Sequence, residues 1–139
     1  MSIQTIHDVE FGAELPVFEP DTSIAATAAF ADAVGWGGGA RFKDHEGARK
    51  EGLPGALVPG IMAMGFLTSM IHHWSPAARV RHVDTVFRAP LIADEPCELS
   101  AVVTDVDEDD GSVQLDLTVK NGAGETRVFG TAEISLPTA

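Results

Sequence analysis

The sequence has little cysteine and little positive charge. Cys97 is its single cysteine. No intramolecular disulfide can form, and no thiolate zinc site can be assembled from one thiol. A chain that makes no use of disulfides fits a reducing, cytoplasmic setting. Lys and Arg number 9 against 21 Asp and Glu, for a formal net charge of −12. That balance argues against sequence-independent binding to nucleic acid and against attachment to an anionic membrane surface. It leaves room for a local basic patch. Arg41, Lys43, Arg49 and Lys50 form one cluster and Arg79, Arg81 and Arg88 a second. Each reads either as a solvated face or as a contact for an anion. The opening residues, MSIQTIHDVEF, offer neither a basic nor an apolar region of the kind a signal peptide needs. The uncharged stretch 55–71 approaches the length of a membrane span, but it contains Pro59 and three glycines and has no second span to accompany it. A buried helix fits it better. There is no P-loop, no dinucleotide fingerprint and no Ser-His-Asp signature.

What is present suits one domain. The 139 residues are 45% hydrophobic, enough for a core without staples. Residues 1–20 read as an entry strand or loop broken by Pro16 and Pro20. Asp21, Thr22 and Ser23 offer cap chemistry for a helix over 23–35, with Ile24, Ala28, Ala31 and Val34 on its inward face. The glycines at 37–39 cannot hold regular structure cheaply. A short polar helical turn is expected over 44–51. The apolar stretch 57–73 then reads as a helix enclosed on all sides, with Pro59 in its first turn.

From residue 79 the period changes from helix to strand. In 79–88, Arg81, Val83, Thr85 and Phe87 alternate with Val80, His82, Asp84 and Val86. Further strands are expected over 98–107, 112–120 and 125–136, joined by turns at Asp109-Asp110-Gly111 and Asn121-Gly122-Ala123-Gly124. The expected fold class is α+β: one domain, with a curved antiparallel sheet wrapped around a long central apolar helix.

Three stretches of sequence carry a resemblance. The run Gly52-Leu53-Pro54-Gly55-Ala56-Leu57-Val58-Pro59-Gly60-Ile61-Met62 is similar to the segment that opens the central helix in the MaoC-like dehydratase/hydratase family. Phe87-Arg88-Ala89-Pro90-Leu91 with Asp94 resembles a strand and turn of that family. Asn121-Gly122-Ala123-Gly124-Glu125, followed by Val128-Phe129-Gly130-Thr131-Ala132, resembles its last hairpin. The resemblance spans nearly the whole chain and implies the hotdog fold. It also implies an enoyl hydratase or 3-hydroxyacyl dehydratase chemistry, with no cofactor and no metal. The implied partners are an acyl-CoA or acyl-carrier-protein thioester and a second hotdog subunit, identical or different.

The family's chemistry rests on an Asp and a His in a D-x-N-P-x-H loop, which serve oxygen and carbon as acid and base. Here the matching positions fall on Gly37 and Phe42, or on Trp36 and Arg41 in a register one residue away. Neither register supplies the pair. The resemblance therefore implies either an enzyme with rearranged catalytic groups or a non-catalytic subunit that pairs with an active partner and shapes the acyl pocket. Candidate catalytic groups are Asp44, His45 and His82, the last paired with Asp84 on one strand face. Each has a plainer reading as a cap or a surface pair. Backbone N–H groups of Gly60 and Ile61 are candidates to hold the thioester oxygen, while Gly60 equally suits close packing of helix on sheet. The expected pocket residues are Trp36, Phe42, Pro59, Met62, Met64 and Phe66. His72 and His73 lie some 12 residues beyond Gly60, roughly 18 Å along a helix, too far to act there.

Overall fold

A computed structural model describes residues 3–36 and 39–139. The expectations for Gly37 and Gly38 therefore lie outside the described residues. Among the described residues, three α-helices form: α1 (Ile24–Ala33), α2 (His45–Lys50) and α3 (Gly60–Trp74). Six strands form: β1 (Leu57–Val58), β2 (Arg79–Phe87), β3 (Leu91–Ile92), β4 (Cys97–Asp107), β5 (Ser112–Asn121) and β6 (Thr126–Ser135). The long strands make one antiparallel sheet in the order β2-β6-β5-β4, so β4, β5 and β6 are the expected meander and β2 returns beside β6. Gly111, at φ 77°, supplies the left-handed residue that lets the chain turn from β4 into β5.

The core lies between α3 and the inner face of this sheet. Leu67, Met70 and Ile71 of α3 are fully buried with Leu99 and Val103 of β4, and with Val113, Leu115, Leu117 and Val119 of β5. Each large side chain so buried contributes about 1.5–3 kcal/mol relative to exposure. The strict alternation of β5 is what commits its face to the core.

The two outer edges of the sheet differ. The chain before α1 covers the edge of β4: Gly12 N–H donates to Val103, Leu15 to Ala101 and Phe18 to Leu99, while Leu99 and Val103 donate back to Phe18 and Ala13. Among the described residues, no strand lies on the other edge of β2.

Several expectations are corrected. Leu57 and Val58 do not begin the central helix. They pair with Ile92 and Leu91 in a separate two-stranded ladder, and α3 starts only after Pro59, which serves as its cap. Nor is α3 enclosed on all sides. Ile61, Gly65, Ser69, His72 and His73 are exposed, so one face meets solvent. In α1, Thr27 and Ala31 are buried, whereas Val34 lies beyond the helix and is exposed. The run of small residues there has almost no helical asymmetry to read. In β2 a register shift between Val80 and His82 breaks the expected alternation. Val80 and Val83 both pack against the core, and Arg81 is left exposed. A bulge of this kind inserts one residue and changes face parity.

Candidate functional site

In the segment between α1 and α2, the backbone carbonyls of residues 41 and 42 are both engaged. The buried Thr27 hydroxyl donates to the Phe42 carbonyl at 2.8 Å, and Leu57 N–H donates to the Arg41 carbonyl at 2.7 Å. These bonds lay residues 41 and 42 against β1. The Phe42 ring stacks on Trp36 with centroids 5.4 Å apart, and Trp36 meets Phe30 edge-on at 6.3 Å.

The loop closes one side of a cavity of about 390 Å³ at the head of α3. Arg41 and Phe42 come from the loop, Leu57 and Val58 from β1, and Gly60 and Ala63 from α3. The opposite wall is the turn from Phe87 to Leu91, with Val128 behind it from β6. The volume suits a small ligand or part of a larger one. Pro59 offers no side-chain cap, so the first-turn N–H groups of α3 have no side chain to satisfy them. Gly60 is closely packed as well: a Cβ there would lie 3.3 Å from the Phe87 ring.

Among the described residues, the titratable side chains that line this cavity are Arg41 and Arg88. Each comes from one of the two basic clusters of the sequence. Among the other lining residues there is no carboxylate and no imidazole.

The three candidate acid-base residues lie elsewhere. Asp44 is exposed and caps α2, its carboxylate accepting from Glu46 N–H at 3.2 Å. His45 does not pair with Asp44. Its Nδ1 accepts from Ala56 N–H at 3.0 Å, so Nε2 carries the proton and donates it to Asp94 Oδ2 at 2.8 Å. The other oxygen of Asp94 accepts from Ile24 N–H at the start of α1. These bonds hold the Asp94 carboxyl below the usual carboxylate range, the His45 contact first and the Ile24 N–H second. Both ring nitrogens of His45 are thus engaged. His82 is exposed on the outer face of β2 and sits opposite Glu133 of β6, on the same face as Asp84.

Of the expected pocket residues, Phe42 lines the cavity and Trp36 backs it. Pro59 is buried directly before α3, while Met62 turns into the core at 8% exposure. Met64 and Phe66 are half-buried further along the helix, and Ile61 is exposed beside the cavity. Arg41, Arg88 and the Ala89–Leu91 wall were missed as pocket residues. The signal available for the arginines was their membership of the two basic clusters. Nothing local foretold that the clusters would meet.

A larger hollow of about 490 Å³ lies beyond Pro90, toward the β5–β6 turn, and contains none of the expected site residues. Among the described residues, no group of three or more His, Cys, Asp or Glu is placed to hold a metal ion. No helix of the described residues is long and apolar enough to cross a membrane.

No family model matches the sequence, and neither does any curated protein. Solved structures do match. R-hydratase PhaJ1 from Pseudomonas aeruginosa, in its unliganded form, superposes with a TM-score of 0.86 at 18% identity, over 96% of this chain and 85% of that one. The (R)-hydratase from A. caviae involved in PHA biosynthesis gives 0.84 at 19% identity, over 93% and 98%. A chain of the ChsH1-ChsH2 complex from Mycobacterium tuberculosis gives 0.80 at 22% identity, over 91% and 98%. The fold is the hotdog fold of MaoC-like dehydratases and R-hydratases.

Proposed function

We propose that this hotdog chain is a MaoC-like subunit of acyl-thioester metabolism in the cytoplasm. In this reading it binds the acyl group of a CoA or carrier-protein thioester at the head of α3 and leaves the proton transfers to a partner subunit. One observation carries the reading: the cavity beside Gly60 is largely apolar, and among the described residues its lining offers two guanidinium groups but neither acid nor imidazole. Adding water to an enoyl thioester needs a base for the water and an acid for the carbon within hydrogen-bond reach. A guanidinium does not give up its proton in a protein. It can bind and orient a ligand, and it cannot serve as the base. The N–H groups of Gly60 and Ile61 are suited to donate to the thioester oxygen as negative charge develops on it. Asp44, His45 and His82 are given no proton-transfer role, because none of the three lines this cavity.

The partner's place is suggested by the open edge of β2. Val86 and Phe87 of β2, Phe129 of the neighbouring β6 and Ile61 of α3 are 42–51% exposed. Unpaired strand backbone bordered by apolar side chains is a surface suited to pairing with another sheet. That one of the superposing structures is the ChsH1-ChsH2 complex is in keeping with a two-component arrangement.

The test is direct. The purified chain is given crotonyl and longer enoyl thioesters, and the absorbance of the conjugated bond is followed alongside titration calorimetry. Binding without turnover is expected, with turnover appearing when an active hotdog partner is added. Turnover by the chain alone overturns the non-catalytic reading, and absence of any thioester binding overturns the whole.

A further inference from the structure

We infer that the cavity at the head of α3 takes an amphiphile whose negatively charged oxygen group is held between Arg41 and Arg88. The inference deepens the reading above by naming the charge class of the ligand, and it rests on that reading for the cavity's use. The two residues stand 47 positions apart in sequence (88 − 41), and the fold brings them to one cavity. Carboxylates are abundant in this chain, with 21 against 9 cations. Of the seven other cations, three have carboxylate partners: Lys43 with Asp32, Lys50 with Glu46 and Arg127 with Glu125. Among the described residues, neither Arg41 nor Arg88 has a carboxylate partner. Two like charges kept together without a counter-ion repel each other, and an anionic ligand relieves that repulsion. A guanidinium presents a planar fork of donors that matches a carboxylate or a phosphate with two parallel bonds. The apolar wall formed by Ala63, Leu91 and Val128 receives the uncharged part of such a ligand.

The charge has two possible sources, the phosphate of a carrier or a carboxylate on the chain itself. Calorimetric titration with octanoyl-CoA, octanoyl-pantetheine and octanoate, at low and high salt, separates them. The three share one chain and differ in charge. At low salt, at least one anionic ligand is expected to bind roughly tenfold or more tightly than octanoyl-pantetheine. High salt narrows that margin. Arg41→Ala and Arg88→Ala are each expected to remove it, and the Lys variants to keep part of it. Both arginines are exposed, and circular dichroism checks that each variant is folded. A margin for octanoyl-CoA assigns the charge to the phosphate, and one for octanoate assigns it to a carboxylate. Equal binding of all three ligands, or a margin that survives both Ala variants, overturns the inference while thioester binding stands. Arginine-dependent binding of octanoate with no binding of either thioester overturns the function reading and leaves the inference intact. Failure of all three ligands to bind overturns both.

Discussion

His45 and Asp94 are 49 residues apart in sequence and 2.8 Å apart in space. The imidazole also takes Ala56 N–H, and the carboxylate takes Ile24 N–H. One pair of side chains therefore ties the starts of α1 and α2 to the segment before β1 and the turn after β3. Asp94 holds its place at φ 67°, a left-handed conformation that Asp tolerates better than most residues.

Removing the imidazole is expected to loosen this tie. Ala56 is fully buried. In His45→Ala its N–H loses the acceptor it now has, at a cost of about 1–3 kcal/mol. Urea denaturation followed by circular dichroism measures the loss. His45→Gln, which can keep an acceptor, should recover part of it. An unchanged midpoint in His45→Ala would show that the tie adds no stability.

Acid should weaken the fold in a defined window. The carboxyls of Asp8, Asp21, Asp94, Asp110 and Glu125 are all held below their ordinary values, chiefly by hydrogen bonds to the charged form. A depressed folded value means that the unfolded chain takes up protons first as pH falls. The stabilisation is complete above the ordinary carboxylate range and disappears as pH drops through the lowered folded values. Urea midpoints are expected to be flat from pH 5 to 7 with respect to these groups and to fall below about pH 4. In Asp94→Asn the fall should be shallower from a lower starting point.

Gly130 is expected to tolerate no side chain. A Cβ there would lie 1.9 Å from the carbonyl oxygen of Asp84 on the neighbouring strand. The obstacle is backbone, so no rotamer can relieve it, and β2 must move away from β6. Gly130→Ala should cost about 3 kcal/mol or more, read by thermal and urea unfolding. A loss below about 1 kcal/mol would mean that the two strands can separate slightly at little expense.

Cys97 should be inert while the chain is folded. It is 3% exposed, and burial pushes its thiol up to about 11. The thiolate is the reactive form. At pH 8 a disulfide-exchange reagent is expected to titrate no thiol in native protein and one in urea-unfolded protein. Prompt reaction of the native protein would contradict this placement. Because the folded value is raised, this group's contribution is present below the unfolded thiol value and is lost as pH rises from there through about 11.

The large elements were legible because their side chains repeat at the right period. Val113, Leu115, Leu117 and Val119 alternate without a break, and all four are buried. Turn residues between the last three strands marked where each reverses. What escaped had no local pattern. β1 and β3 are two residues each, too short for periodicity, and exist because they pair with each other. The bulge at Arg81 leaves no compositional trace. The absence of an Asp-His pair from the α1–α2 loop was visible in the residues there. The cavity at the head of α3 was not, because Arg41 and Arg88 come to line it together only after the chain has folded. His45 was legible as a titratable residue but not as a fully engaged one. Its partners, Ala56 and Asp94, are fixed by tertiary contact rather than by spacing.

The unequal edges of the sheet limit how the molecule can assemble. The edge of β4 is occupied from Leu99 to Val103 by the chain's own leading segment, and among the described residues the edge of β2 is left open for addition to the sheet. When a second subunit of the same design joins there, its own β2 is consumed in the same event, and neither molecule retains an edge to offer a third. Growth through β2 would then be self-terminating at two. A pair joined in this way would close off an otherwise aggregation-prone feature, whether the two members are identical or different.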